Sequence, residues 1–278
     1  MLVSLKQILG DAYLHHYAVG AFNCLSLENV VGAIQAAESL HSPIIIQLAE
    51  VQFPGAPIEL MAPLYLEAAR RASVPVTVHL DHGQSYDTCV KAIRLGFTSV
   101  MFDGAALPID DNVRITQAVV KIARAFDVDV EAELGKVGLA EIDANADVFT
   151  DVEESAYFIE QTKIDALAIA IGNQHGHYVS TPHLNIQRLK EIHERNGLPL
   201  VLHGGSGTSE ADFKSCIHNG ICKINVATAI QLAITDKIRQ YLATSAKPNY
   251  IDMKDVMVNA TREVVSYHIR LFESEGHA

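Results

Sequence analysis

Polar side chains interrupt otherwise apolar runs at recurring places in this chain. Asn23 closes YAVGAFN, Asp81 and His82 close a run through VTVHLDH, and Asp103 closes TSVMFD. Glu131 and Glu133 stand in VDVEAEL, and Asn173 and His175 follow ALAIAIG. His203 ends LPLVLHG and Asn225 lies near the end of ICKINV. Buried polar groups without partners cost free energy, so their repetition at the ends of apolar runs asks for a chemical reason. Any one histidine is most simply a hydrogen-bonded core or surface residue. Three of them, His82, His175 and His203, at equivalent run ends read instead as ligands of a metal, because neutral imidazoles plus an open position make a catalytic zinc site. Asp103 and Glu133 are then acids that orient the ligands or hold an alternative metal position. His15 and His16 read as surface residues, and His177 has no evident role.

A second chemistry is suggested by LPLVLHGGSGTSE, residues 198–210. Two readings compete for it: a strand followed by a glycine-rich turn, or a metal ligand followed by a backbone nest for a phosphate. Gly204, Gly205, Ser206 and Gly207 can bring N–H groups and a hydroxyl onto an anion just before a helix. Asn225, Val226, Ala227 and Thr228 form a second such turn. Two turns beside three histidines favour the phosphate reading.

The elements that must position these residues alternate along the chain. Eight short apolar runs, at 17–23, 43–49, 75–81, 98–103, 128–134, 166–172, 198–204 and 221–226, have the near-continuous hydrophobicity of parallel strands buried on both faces. Amphipathic segments at 57–72, 109–126 and 208–220 lie between them, the last with Thr208 or Ser209 as N-cap. Eight strand–helix units predict a single α/β domain over 1–278, a (β/α)8 TIM barrel with its active site at the C-terminal strand ends. Residues from about 252 to 278 predict an additional C-terminal helix. The stretch GKVGLAEIDANADVFT, 135–150, follows the fifth strand and has no strong period, which predicts a mobile loop over the active site.

Composition narrows the partners. The chain has 278 residues, is 49% hydrophobic and carries a formal net charge of -12. That charge argues against nucleic acid and an anionic membrane, and leaves a small anionic ligand possible where charge is local. Neither an apolar run long enough to span a bilayer nor a secretory leader is expected. Cys24, Cys89, Cys216 and Cys222 show no paired spacing, which predicts reduced thiols and a cytoplasmic protein.

The motifs YAVGAFN, VHLDHG, SVMFDGA, VEAELGKVG, AIGNQHGHY, LVLHGGSG and KINVAT span nearly the whole chain. Together they resemble the class II, metal-dependent ketose-bisphosphate aldolases, including fructose- and tagatose-bisphosphate aldolases. The resemblance implies reversible aldol cleavage of a phosphorylated ketose to dihydroxyacetone phosphate and an aldehyde. It implies Zn2+, or another divalent metal, on His82, His175 and His203, with Asp103 and Glu133 lining a displaced position. Asp81 is implied as acid/base on the carbon-4 hydroxyl, and Glu141 as the group moving the proton at the carbanion carbon. Gly176, Gly204, Gly205, Ser206 and the Asn225-Val226-Ala227-Thr228 turn are implied to bind the carbon-1 phosphate, with Na+ or K+ nearby. Asn225 is also implied to contact the enediolate, and Asn23 is counted with the substrate-binding residues. A homodimer or homotetramer is the family-based expectation.

Departures from the pattern concern the substrate. Ala227 stands where many fructose-bisphosphate aldolases have an acid, which resembles the tagatose-type branch. Gln231 stands where many relatives have a cation for the distal phosphate, and Ala49 where many have serine. Arg262 or Arg270, from this or a neighbouring subunit, could compensate. A ketose 1-phosphate is therefore kept beside the bisphosphates. Lys223, the lysine to suspect for a Schiff base, shares a strand with Asn225 and is expected to be structural. The rival functions are a metal-dependent sugar-phosphate isomerase or epimerase, and a non-catalytic support subunit of an aldolase complex.

Overall fold

The computed structural model describes residues 1–135, 138–139, 149–175, 184–204 and 208–278, except the side chains of 138, 139, 174 and 175. The strands are β1 (Val19–Asn23), β2 (Ile44–Ala49), β3 (Val76–Gly83), β4 (Ser99–Phe102), β5 (Asp129–Leu134), β6 (Gly138–Leu139), β7 (Ala166–Ile169), β8 (Gln174–His175), β9 (Leu200–Leu202) and β10 (Ile221–Val226). Eight of them close a parallel barrel in the order β1-β10-β9-β7-β5-β4-β3-β2. The eight expected strands are these eight. Their side chains are buried almost throughout, as expected of strands covered by helices outside and filled inside.

The helices are α1 (Leu5–His15), α2 (Leu27–Ser39), α3 (Ile58–Arg71), α4 (Tyr86–Arg94), α5 (Ile109–Arg124), α6 (Val152–Thr162), α7 (Ile186–Asn196), α8 (Glu210–His218), α9 (Thr228–Thr244) and α10 (Tyr250–Leu271). Each of α2, α4, α6, α7, α8 and α10 starts at a side-chain cap, from Ser26, Ser85, Asp151, Asn185, Ser209 and Asn249 respectively. Ser209, not Thr208, caps α8. The C-terminal helix begins at Tyr250, two residues before the expected start.

Two features were not expected from the strand–helix alternation. The first is α1, opened by a reciprocal capping box of Ser4 and Gln7. Its Leu5, Ile8, Leu9 and Ala12 cluster with the interior residues Val19, Ala21, Ile45, Met101, Ala166, Ala168, Val201 and Cys222. The helix therefore plugs the N-terminal end of the barrel. The second is a two-stranded parallel pair, β6 with β8, which brings Gly138 beside Gln174 and Leu139 beside His175. The rest of the expected loop, 136–137 and 140–148, lies outside the described residues. Among the described residues, no helix is long and apolar enough to cross a membrane.

Candidate active site

The strand register carries the site residues to one end. Asp81 lies beside Ala49, Asn23 beside Gln47, and Asn225 beside Ala21. In a regular strand Asp81 and His82 would face opposite ways. The β3–β4 register shifts between Leu80 and Gly83, and His82 adopts φ 44°, in the left-handed region. A non-glycine residue there is uncommon, and the result is that both side chains enter the same site.

His82 and His203 converge, with Nε2 of the first 2.8 Å from Nδ1 of the second. Their other ring nitrogens face carboxylates. His82 Nδ1 donates to Asp103 Oδ2 at 2.8 Å, and His203 Nε2 donates to Glu131 Oε1 at 2.9 Å. A carboxylate only accepts, so each contact fixes the imidazole tautomer and leaves a lone pair on the converging nitrogen. Two lone pairs at that separation require a shared positive charge, a proton or a metal ion. One ligand atom each from Asp81, His82 and His203 falls within 4.8 Å of the others, and the same is true of His82, Asp103 and Glu133. Glu133 Oε2 is buried with no hydrogen-bond partner among the described residues, 3.7 Å from His203 Nδ1 and 3.9 Å from His82 Nδ1. Imidazoles braced by carboxylates, with an orphaned buried carboxylate oxygen alongside, are a donor set that fits a divalent cation.

The electrostatics agree. Burial disfavours charge on His82, but Asp81, Asp103 and Glu133 outweigh it and raise its pKa to about 10. Burial pushes Glu133 up to about 8. Burial also opposes ionisation of Asp81, yet His82, His203 and Lys223 hold its pKa below the usual value. Asp81 is further fixed by two amides: Asn23 Nδ2 donates to Oδ2 and Asn225 Nδ2 to Oδ1, both at 2.9 Å. Gln47 in turn donates to Asn23 Oδ1 at 2.9 Å. The Asn225 side-chain oxygen, Oδ1, is buried with no hydrogen-bond partner among the described residues.

The turn from Asn225 to Thr228 leads into α9, whose N-cap Ala227 supplies no capping side chain. Its first N–H groups are therefore not taken by a side-chain cap. Gly204 has φ 68°, a conformation that suits glycine. Gly205, Ser206, Gly176, Glu141 and His177 lie outside the described residues, as does the side chain of His175.

Glu131 and Lys223 do not reach the strand tips. They lie inside the barrel one layer below, where Lys223 Nζ donates to Glu131 Oε2 at 2.7 Å. Lys223 is fully buried in this ion pair. Gln231 is exposed on the first turn of α9. Arg262 and Arg270 line a groove between α8 and α10 together with Lys214 and Tyr267, a groove to which no strand-tip residue among the described ones contributes. Gln47, Gln52 and His79 were missed as site neighbours. Their signal was present, since each is polar in or beside an apolar run.

The sequence model of class II fructose-bisphosphate aldolases matches residues 3–277. The chain is 40% identical to a Bacillus subtilis protein named probable fructose-bisphosphate aldolase, over all of this chain and 99% of that one. The crystal structure of the YdjI aldolase from Escherichia coli K12 superposes with a TM-score of 0.92 at 34% identity, covering 100% of both chains. Fructose-bisphosphate aldolase from Campylobacter jejuni shares the fold at a TM-score of 0.83 and 21% identity, over 99% of this chain and 96% of that one.

Proposed function

The chain belongs to the class II fructose-bisphosphate aldolase family, and from that premise we propose that it is a zinc-dependent aldolase. Its substrate is a tagatose- or fructose-type ketose carrying a carbon-1 phosphate, and its products are dihydroxyacetone phosphate and an aldehyde. The observation that carries this reading is Asp81, clamped by two asparagines, with Oδ1 3.8 Å from the Nε2 of His82 that converges on His203.

His82, His203 and His175 hold the zinc in this reading, and Asp103 and Glu133 offer it a second position. Another divalent metal could occupy the same ligands. When bound, the metal supplies Lewis-acid polarisation of carbonyl and hydroxyl oxygens. Asp81 removes the carbon-4 hydroxyl proton as the carbon–carbon bond breaks. Its ionised state, supported by the neighbouring cationic groups, suits it to accept that proton. The orphan carbonyl oxygen of Asn225 is placed to accept from a hydroxyl of the enediol fragment, and Asn23 keeps Asp81 in register from the other side. Glu141 returns the proton at the carbanion carbon. The carbon-1 phosphate sits on Gly176, Gly204, Gly205, Ser206 and the turn from Asn225 through Val226 and Ala227 to Thr228, with a monovalent cation, Na+ or K+, beside it. The uncapped N-terminus of α9 supports that assignment.

The distal end of the site lacks a cation where Gln231 stands, because its neutral amide cannot supply a charge-assisted bond to a second phosphate. Ketose 1-phosphates are therefore substrates beside the 1,6-bisphosphates. The enzyme is a cytoplasmic homodimer or homotetramer. Four free, buried cysteines and the exposed Leu232, Leu242, Tyr250 and Ile251 on α9 and α10 support this.

The test is release of dihydroxyacetone phosphate from a panel of ketose 1-phosphates and 1,6-bisphosphates, with and without a chelator. Chelator-sensitive release is expected. No release from any member would favour an isomerase or a support subunit instead.

A further inference from the structure

The interior of the barrel holds a connected polar line beneath the strand tips. His79 Nδ1 lies 2.8 Å from Ser99 Oγ. His79 Nε2 lies 3.5 Å from Lys223 Nζ, and the ammonium donates to Glu131 Oε2 at 2.7 Å. Glu131 Oε1 then accepts from His203 Nε2 at 2.9 Å. Glu131, Lys223 and His79 are all fully buried. A buried ion pair is weak evidence for stability, because apolar replacements of similar volume are often as stable. Its place directly beneath His203 points to orientation.

We propose that Lys223 and Glu131 are positioning residues that set the tautomer of His203. The direction of every bond in the line is fixed from its lower end. An ammonium only donates, so the near oxygen of Glu131 is held by Lys223 and the far oxygen must accept. His203 therefore keeps its proton on Nε2 and presents the Nδ1 lone pair toward His82. Neither Glu131 nor Lys223 touches the substrate. The inference rests on the metal-site reading given above, since the lone pair is useful only to a bound cation.

The design makes an unusual prediction for a pair of variants. In Glu131→Gln the amide oxygen satisfies the Lys223 ammonium, which turns the amide N–H2 toward His203. The imidazole must then accept at Nε2 and carry its proton on Nδ1, the atom needed by the metal. Zinc affinity, measured by competition with a chromophoric chelator, should fall by about 10–100-fold, the range for lost outer-shell partners. In the double variant E131Q/K223M the amide is free to turn its oxygen to His203. Most of the lost affinity should return, although a second buried residue has been changed. A residue acting only in packing would give additive losses instead.

Zinc binding to E131Q equal to that of the unaltered protein would overturn the proposal. So would a double variant no tighter than E131Q alone. Should the variants not fold, two-bond nitrogen–proton correlation spectra of the ¹⁵N-histidine-labelled unaltered protein decide the matter: His203 should carry its proton on Nε2, and a proton on Nδ1 would overturn the assignment. Failure of the unaltered protein to bind zinc would count against the metal reading itself, whereas failure confined to the variants counts against the Lys223–Glu131 role.

Discussion

The two ends of the barrel solve opposite problems. At the N-terminal end, α1 lays Leu5, Ile8, Leu9 and Ala12 over an interior layer that includes Val19, Ala21, Ile45, Met101 and Val201. The capping box of Ser4 and Gln7 and a bond from the Lys6 N–H to Asp129 satisfy the polar groups around that plug. At the C-terminal end the barrel strands deliver Asp81, His82, Asp103, Glu133, His203 and Asn225. There the backbone is left-handed at His82, and two buried oxygens, Glu133 Oε2 and Asn225 Oδ1, have no hydrogen-bond partner among the described residues. One end is closed by apolar burial, and the other keeps uncompensated polar atoms that a cation and a substrate can satisfy. Stability and chemistry are thereby separated along the barrel axis, and mutations at the two ends should change different measurements.

The largest effect should come from His203→Ala. On the proposed metal reading it removes a ligand nitrogen and leaves Glu131 Oε1 without its imidazole, so zinc affinity should fall by more than the roughly 100-fold expected of an outer-shell loss. Release of dihydroxyacetone phosphate should vanish with it, and unchanged zinc binding would break the comparison at its functional end. Next comes Leu9→Ala in the plug. Truncating a fully buried leucine should cost about 2–5 kcal/mol in urea unfolding, while kcat stays the same. A lost kcat with unchanged stability would mean that the two ends are coupled.

Asn225→Ala should be intermediate and confined to catalysis. It removes one of the two amide donors to Asp81, and a hydrogen bond to a charged group is worth about 1.5–3 kcal/mol. That corresponds to a fall in kcat of about 10–100-fold, with the unfolding midpoint little changed. The smallest effect belongs to Arg124→Met. Arg124 makes two 2.8 Å bonds to Asp165 near the N-terminal ends of β5 and β7. Its side chain is 43% exposed, while Asp165 is 5% exposed and keeps its bond from the Val130 N–H, so the loss should be about 1–2 kcal/mol and leave turnover alone.

Much of this division was legible in the sequence. The eight strands followed from near-continuous apolar runs, and the site followed from polar residues at their ends. A finer signal lay in pairs two residues apart: His79 with Asp81, Glu131 with Glu133, and Lys223 with Asn225. A period of two puts both members of a pair on the inner face, so the lower member must sit beneath the site. Which lower residues meet could not be read, because Lys223 and Glu131 are brought together only by barrel closure. The same holds for the clamp on Asp81, whose asparagines come from β1 and β10. The plug helix α1 was legible in principle, from a serine followed by apolar residues at helical spacing, but nothing local says that it covers a barrel. The left-handed turn at His82 was not legible, since histidine, although enriched in that region, adopts it at only a few of its positions, and thirteen histidines are candidates.

The account's central claim is that adjacent residues at one strand tip divide the labour, with His82 holding metal and Asp81 moving the proton. Asp81→Ala tests it most directly, with zinc content and dihydroxyacetone phosphate release measured on the same preparation. The account predicts a full complement of zinc and a loss of turnover of about 10²–10⁴-fold. Turnover equal to that of the unaltered enzyme, with zinc in place, would contradict it.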